Sequence, residues 1–126
     1  MIASGVISLR DSLVTGVGVR TGQTGSRMAR TIRHLLIHGR VQGVGFRAWA
    51  QDTADQLGIE GWVRNRRSGE VEIVVAGSPQ AIAAMAEACR RGPSFAHVIQ
   101  VEERDAREDE LRLRGAEGGF AGLPTV

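Results

Sequence analysis

Residues 39–47 read Gly-Arg-Val-Gln-Gly-Val-Gly-Phe-Arg, so three of these nine positions are glycine. The segment before them, residues 33–38, alternates polar and apolar side chains and predicts a strand. The segment after them, residues 46–57, carries apolar side chains along one side and predicts a helix. A glycine-rich turn between a strand and a helix can point several backbone N–H groups into one concavity, where they bind an anion. The helix N-terminus adds free donors and a partial positive charge, so we expect an anion-binding turn.

Arg47 makes phosphate the anion that this turn is expected to bind. It stands in the first turn of the predicted helix, where its planar guanidinium can bind two phosphate oxygens at once. A Walker loop is excluded because it needs a lysine, and the chain has none. Residues 43–48 fit the dinucleotide-binding pattern G-x-G-x-x-A, but Gly43 lies four residues beyond Gly39, where the predicted strand ends. About 95 remaining residues are also few for a doubly wound sheet with its substrate site, so a nucleotide site is not favoured.

The order of the predicted elements indicates the fold class. Strands are predicted at residues 33–38, 60–67, 70–76, 97–103 and 111–114, and helices at residues 46–57 and from Ser78 to about residue 91. Ser68-Gly69 is a good two-residue hairpin signal, and Ser78-Pro79 is typical of an N-cap followed by proline at the first helical position. A hairpin between two helices in so short a chain predicts an α+β fold, the ferredoxin-like split βαβ two-layer sandwich.

Composition and charge limit the classes of partner. The chain has 126 residues, which is the length of one domain, and a formal net charge of +2. All sixteen basic residues are arginine, but residues 31–126 hold twelve arginines against thirteen acids, a net charge of −1. The electrostatic case for a nucleic-acid partner is therefore weak. One cysteine excludes an intramolecular disulfide framework, and no apolar run approaches the ~18 residues of a membrane span, so we expect a cytoplasmic protein with no membrane partner.

The two ends of the chain differ in composition from its middle. Residues 1–30 contain five glycines and no sustained apolar period, so we expect a flexible N-terminal extension there. Residues 31–114 hold the periodic segments and are predicted to form the domain. Residues 115–126 contain four glycines and a proline, and we expect a flexible C-terminal tail.

Two motifs at a fixed separation resemble those of a known family. Residues 39–47, followed by Gly61-Trp62-Val63-Arg64-Asn65, resemble the acylphosphatase family, and the resemblance runs from about residue 33 to residue 114. It implies an antiparallel sheet of four to five strands with two helices on one face. It also implies that Arg47 is the catalytic phosphate ligand and that Asn65 positions the attacking water. The phosphate-binding residues that it implies are Gln42, Gly43, Val44, Gly45, Phe46 and Arg47.

The implied chemistry is hydrolysis of a small acyl phosphate to a carboxylate and inorganic phosphate. The leaving carboxylate has a pKa of ~4, so it needs no proton from a general acid. The reaction can therefore depend on orientation and charge stabilisation alone. We expect no cofactor, no metal and no nucleophilic side chain, and we expect the enzyme to be a monomer.

Two other functions remain as alternatives. The first is an acylphosphatase-like phosphate-binding accessory module of a carbamoyl-phosphate-using maturation system, against which the short chain speaks. The second is an RNA-binding module on the same topology, which would present aromatic side chains on its sheet for base stacking. The chain has no tyrosine, three phenylalanines and two tryptophans, so the RNA-binding alternative has little support.

Three further residues have side chains that can bind metals or act as nucleophiles. His34 and His38 lie on one face of the first predicted strand, but four residues at ~3.3 Å each place their backbones ~13 Å apart, too far for one metal ion. Cys89 belongs to the apolar stripe of the second helix, and we expect a buried, unreactive thiol.

Overall fold

A computed structural model describes residues 30–116 and 118–126 of the chain, in which Thr31–Val126 forms one compact unit. The expected N-terminal extension lies outside the described residues, apart from Arg30. The strands are β1 (Thr31–Arg40), β2 (Glu60–Asn65), β3 (Val71–Gly77), β4 (His97–Asp105) and β5 (Phe120–Gly122). The helices are α1 (Phe46–Leu57), α2 (Pro79–Arg91) and the short α3 (Glu108–Leu111), which continues into a 3₁₀ turn at Arg112–Arg114. No helix in the described part of the chain is long and apolar enough to cross a membrane.

The five strands form one sheet in the order β4-β1-β3-β2-β5. β1 is antiparallel to β3 and to β4, and β2 is antiparallel to β3, which is the split βαβ arrangement that the sequence predicts. The expectation of a wholly antiparallel sheet is wrong at one edge, because β5 runs parallel to β2. The chain leaves β4 at one end of the sheet and re-enters at the same end of the opposite edge. β5 must therefore run antiparallel to β4, and hence in the direction of β2.

The last part of the chain differs from its prediction. The expected strand at residues 111–114 is wrong, since Leu111 ends α3 and the next three residues form the 3₁₀ turn. Three acidic residues in the first turn of α3 favour a helix there, because they oppose the positive end of the helix dipole. The last strand instead lies at Phe120–Gly122, inside the segment expected to be a flexible tail.

The main core lies between the sheet and the two long helices. From the sheet it takes Leu35, Ile37, Val63, Val71, Ile73 and Val75, and from the helices Phe46, Ala50, Ala54, Ile82, Met85, Ala86 and Cys89. The side chain of Ser78 caps α2 by accepting a hydrogen bond from the Ala81 N–H, as its place before Pro79 predicts. Val41 and Phe46 also belong to this core, which therefore holds both ends of the turn at residues 41–45.

The opposite face of the sheet carries a smaller apolar cluster. Trp62 packs there with Val74, Ala76 and Leu111, because alternate residues of a strand point to opposite faces. The Trp62 indole Nε1–H donates to the Glu110 carbonyl at 2.8 Å, so its polar atom has a partner. α3 therefore lies on the face away from α1 and α2, and the prediction of two helices on one face holds for the two long helices.

Glu72 lies at the centre of a charged network on that second face. The carboxylate is 8% exposed and accepts hydrogen bonds from Arg64 Nε at 2.7 Å and Arg66 Nη1 at 3.1 Å. His34 Nε2 lies 2.7 Å from the other carboxylate oxygen. Burial alone raises the pKa of Glu72, but the three hydrogen-bonding partners outweigh it and lower that pKa to about 2. The carboxylate therefore stays ionised down to strongly acidic pH.

We expect Glu72→Gln to lower the free energy of unfolding at pH 7 by at most about 3 kcal/mol, because the carboxyl pKa falls from 4.5 to about 2 on folding. A lowered pKa stabilises the fold above pH 4.5, and that contribution is lost as the pH falls towards 2. Urea unfolding of both proteins at pH 7 and at pH 2.5 measures the difference. Glu87→Gln, which breaks an exposed pair on α2, is the control and should cost under about 0.5 kcal/mol. A difference between wild type and Glu72→Gln that does not narrow at low pH would contradict this assignment.

Candidate active site

The turn between β1 and α1 holds two glycines in the left-handed region of backbone conformation. Gly43 has φ of 75° and Gly45 has φ of 82°, and a Cβ built on either would meet no atom within 4 Å. Conformation alone therefore favours glycine at both positions, since other residues cost about 1–2 kcal/mol there. Gly45 is also the N-cap of α1, and no side chain caps that terminus, whose first turn contains no acidic residue. The turn and the helix N-terminus therefore offer uncapped donors on one side.

A cavity of about 400 Å³ opens beside this turn. It is lined by Val41, Gln42, Gly43, Gly45, Phe46, Arg47, Ala48, Gln51, Asn65, Gly122 and Leu123. Four parts of the fold therefore meet at it: the turn, the first two turns of α1, the end of β2, and β5 with the residue after it. The two motifs that are separate in the sequence border the same space.

Arg47 supplies the positive charge at this cavity. Its side chain is exposed, and it makes no hydrogen bond or ion pair with any residue of 30–116 or 118–126. Other arginines of the fold, among them Arg33 and Arg104, are ion-paired. The neighbouring Phe46 is 2% exposed and packs edge-on against Trp49 at 5.1 Å between ring centroids, which anchors the start of α1. The guanidinium is thus available to an anionic ligand while the backbone beneath it is held.

Asn65 ends β2 on the same face of the sheet as the buried Val63, and this places it towards α1 and the cavity. The side chain is half-buried, and its amide has no hydrogen-bond partner among the described residues. Its backbone is held more firmly, since it pairs with Val71 in the ladder and its carbonyl accepts from the Val126 N–H at 3.2 Å. A free amide on a fixed backbone can both donate to and accept from a bound water.

Five of the six residues predicted to bind phosphate line the cavity, namely Gln42, Gly43, Gly45, Phe46 and Arg47. The side chains of Val44 and Gln42 have contacts within the protein. Val44 is not among the lining residues, because its side chain packs against the main core. Gln42 lines the cavity, but its side-chain Nε2 donates to the carbonyls of Arg66 at 2.7 Å and Glu70 at 2.9 Å. For Gln42 and Val44 we therefore expect only the backbone to face a ligand.

Four lining residues lie outside both motifs, and one of them, Ala48, directly follows Arg47 in α1. Gln51 follows Arg47 by four positions, so it lies on the same side of α1, and this spacing could have indicated it. Gly122 and Leu123 come from β5 and the residue after it, and a three-residue strand among glycines leaves no periodic signal. The Gln51 Nε2 lies 3.1 Å from where a Cβ on Gly122 would stand, so α1 and β5 meet closely at the edge of the cavity.

The histidines of β1 and the cysteine lie away from this cavity. His34 contacts Glu72, and His38 Nε2 lies 2.8 Å from a carboxylate oxygen of Glu102, so each pairs with a different acid on the second face. Cys89 is fully buried in the main core, and burial raises the pKa of its thiol to about 12. The Cys89 thiol is therefore protonated at neutral pH and inert.

Comparisons with known proteins agree on one family. The acylphosphatase family model matches residues 33–116. A curated protein named acylphosphatase from Rhodopseudomonas palustris (strain BisB5) is 50% identical over 99 residues, which cover 79% of this chain and all of that protein. The acylphosphatase structure from Coxiella burnetii superposes with a TM-score of 0.70 and 29% identity, over 80% of this chain and all of that one. Full-length HypF, in a phosphate- and nucleotide-bound crystal structure, matches with a TM-score of 0.65 and 26% identity, over 76% of this chain but 12% of its own.

Gly45→Ala and Gly58→Ala form a matched pair that tests the turn. Both glycines have left-handed backbones with no atom within 4 Å of a built Cβ, and they lie at opposite ends of α1. We expect each substitution to lower the free energy of unfolding by about 1 kcal/mol. Only Gly45→Ala should weaken the binding of inorganic phosphate, by about fivefold or more, because that strain is relieved by turning donors away from the ligand. Calorimetric titration measures the affinity, and an equal loss in both variants would contradict an anion site at this turn.

Proposed function

This chain belongs to the acylphosphatase family and is a hydrolase of that class, and from that premise we propose a division of roles between two residues. Arg47 and the turn before it hold the phosphoryl group of a small acyl phosphate, and Asn65 orients the water that attacks phosphorus. The carrying observation is that a guanidinium and an amide, from different elements and both without a partner in residues 30–116 and 118–126, border the same cavity as the helix N-terminus that no side chain caps there.

The phosphate end of the site is built from fixed donors. Backbone N–H groups of residues 42–46 and the guanidinium of Arg47 would bind the three non-bridging oxygens of the phosphoryl group. In a loose transition state for phosphoryl transfer, negative charge lies on these oxygens, so donors already in position stabilise it without rearranging. A planar guanidinium adds two parallel hydrogen bonds to that set.

The water end of the site depends on the Asn65 side chain. Its amide oxygen accepts a hydrogen bond from the water, which leaves an oxygen lone pair directed at phosphorus. The attack is in line with the bond to the acyl oxygen, so the water must lie on the side of the phosphoryl group opposite that bond. Holding the water there replaces a bimolecular encounter with an oriented one.

The leaving group explains why no general acid is assigned. The bond that breaks joins phosphorus to a carboxyl oxygen, and the electron pair leaves on a carboxylate whose conjugate acid has a pKa of ~4. The attacking water loses one proton to solvent, and its oxygen becomes the fourth oxygen of inorganic phosphate, which keeps the other proton at neutral pH. His34 and His38, which are paired on the second face, have no step to perform.

The alternative is an accessory module of a carbamoyl-phosphate-using maturation system. The likeness to full-length HypF favours it, but that match covers 12% of the HypF chain, whereas the R. palustris acylphosphatase is matched over its whole length at higher identity. The two functions differ in one measurement, which is the hydrolysis of benzoyl phosphate by the purified protein in EDTA. Turnover supports the enzyme, and phosphate binding by a folded protein without turnover supports the accessory module.

Monomeric state and location complete the proposal. The one cysteine is buried, which suits a reducing compartment such as the cytoplasm, where disulfides are rare. The cavity is lined by residues of the turn, α1, β2 and β5, and we propose that the protein acts as a monomer. Light scattering after size exclusion should give one chain mass, 13.5 kDa.

We expect Arg47→Lys to lower kcat/KM for benzoyl phosphate by about 100-fold or more, with weaker inhibition by inorganic phosphate. The lysine keeps a positive charge but has a single ammonium in place of the planar fork, so it cannot bind two oxygens in parallel. Arg91→Lys on α2 is the control, because Arg91 lies outside the cavity. Equal activity of Arg47→Lys and Arg91→Lys would remove Arg47 from the mechanism.

We expect Asn65→Ala to lower kcat by about 100-fold or more while the inhibition constant of inorganic phosphate changes by less than about threefold. The substitution removes the group that holds water but leaves the phosphate donors in place. Steady-state kinetics with phosphate as competitor give both quantities from the same protein. A parallel loss of phosphate affinity in Asn65→Ala and Arg47→Lys would mean that the two residues do not divide the roles in this way.

A further inference from the structure

The Gln42 side chain joins the phosphate-binding turn to the β2–β3 hairpin. Its Nε2 donates to the Arg66 carbonyl at 2.7 Å and to the Glu70 carbonyl at 2.9 Å, across 24 and 28 positions of sequence. Both N–H groups of the Gln42 amide therefore donate to carbonyls within the protein. The hairpin that they reach begins directly after Asn65.

The hairpin does not need these bonds in order to close. The Arg66 carbonyl already accepts from the Gly69 N–H at 2.9 Å, and the Glu70 carbonyl from the Arg66 N–H at 2.9 Å. A carbonyl oxygen has two lone pairs, so the Gln42 amide takes the second acceptor position on each. Its contribution is therefore the placement of the hairpin relative to the turn rather than the local structure of either.

We propose that Gln42 is the positioning residue that sets Asn65 at the right distance and angle from the phosphoryl group, an inference that rests on the proposed function. The other bonds that hold Asn65 run to β3 and to Val126, and neither partner belongs to the turn. Within residues 30–116 and 118–126, the Gln42 amide alone hydrogen-bonds the turn to the hairpin.

Loss of the Gln42 tether affects phosphate binding and water positioning differently, because different residues carry these two roles. Phosphate affinity depends on donors of the turn and on Arg47, whereas turnover also depends on where Asn65 holds the water. A displacement of about 1 Å between the two reacting groups can cost on the order of 100-fold in rate. Loss of the tether should therefore lower kcat much more than it lowers phosphate affinity.

The test is Gln42→Met, which keeps the length and apolar stem of the side chain and removes both donors. We expect kcat for benzoyl phosphate to fall by about 10- to 100-fold while the inhibition constant of inorganic phosphate stays within about threefold of wild type. Ser68→Ala is the matched control, because it removes the Ser68 hydroxyl contact to Glu70 in the same hairpin but leaves the tether intact. Its kcat should equal that of wild type.

Two results would overturn this inference while leaving the proposed function in place. One is a Gln42→Met kcat equal to that of wild type, and the other is an equal fall in kcat and phosphate affinity, which would indicate general loosening of the turn. Absence of turnover in the folded wild type would instead reject the proposed function, and this inference with it.

A measurement on the wild type covers the case in which Gln42→Met does not fold. Nuclear magnetic resonance can follow exchange of side-chain amide protons with solvent. The Gln42 amide protons should exchange at least about tenfold more slowly than those of the exposed Gln100, since both Gln42 donors are engaged. Equal exchange rates for the two glutamines would show that the tether is not held in solution and would overturn the inference.

Discussion

Backbone N–H groups that bind an anion cannot also hold their own turn in place, and the anion site proposed at residues 41–45 is subject to this constraint. The turn must be held by other means. Val41 and Phe46, at its two ends, are 1% and 2% exposed and belong to the main core. The Gln42 side chain adds a polar attachment to the neighbouring hairpin. Packing at the ends and a side chain in the middle leave the donors of the turn free for a ligand.

The two faces of the sheet separate the proposed site from the charged network around Glu72. Val63 and Asn65 point towards α1, whereas Trp62 and Arg64, which alternate with them along β2, point to the other face. Arg64 lies 4.7 Å from the Trp62 ring centroid and also binds Glu72, so its charge is neutralised there. Residues 61–65 therefore supply both a side chain at the cavity and packing on the opposite face of the sheet. Five residues are enough because successive side chains of a strand point to opposite faces.

The parts of the site that the sequence could predict are those with strong local signals. The glycines of residues 39–47 and the helix after them predict an anion-binding turn, and the structure places that turn and Arg47 at the border of the cavity. β5 could not be predicted in the same way, because its three residues form a strand only by pairing with Gly61, Trp62 and Val63. The helix that ends at Leu111 could not be predicted locally either, since the burial of Leu111 depends on Trp62, about fifty positions earlier. Local patterns indicate what a segment can form, whereas these two elements form because of a distant partner.

The tryptophans of the fold lie on opposite faces of the sheet. Trp49 packs edge-on against Phe46 beside the turn at residues 41–45, and Trp62 is buried under α3 on the second face. The chain contains two tryptophans and no tyrosine, so its intrinsic fluorescence comes almost entirely from these two indoles. Replacing either one by phenylalanine isolates the emission of the other. The protein therefore carries two built-in optical reporters, one beside the cavity and one on the opposite face of the sheet.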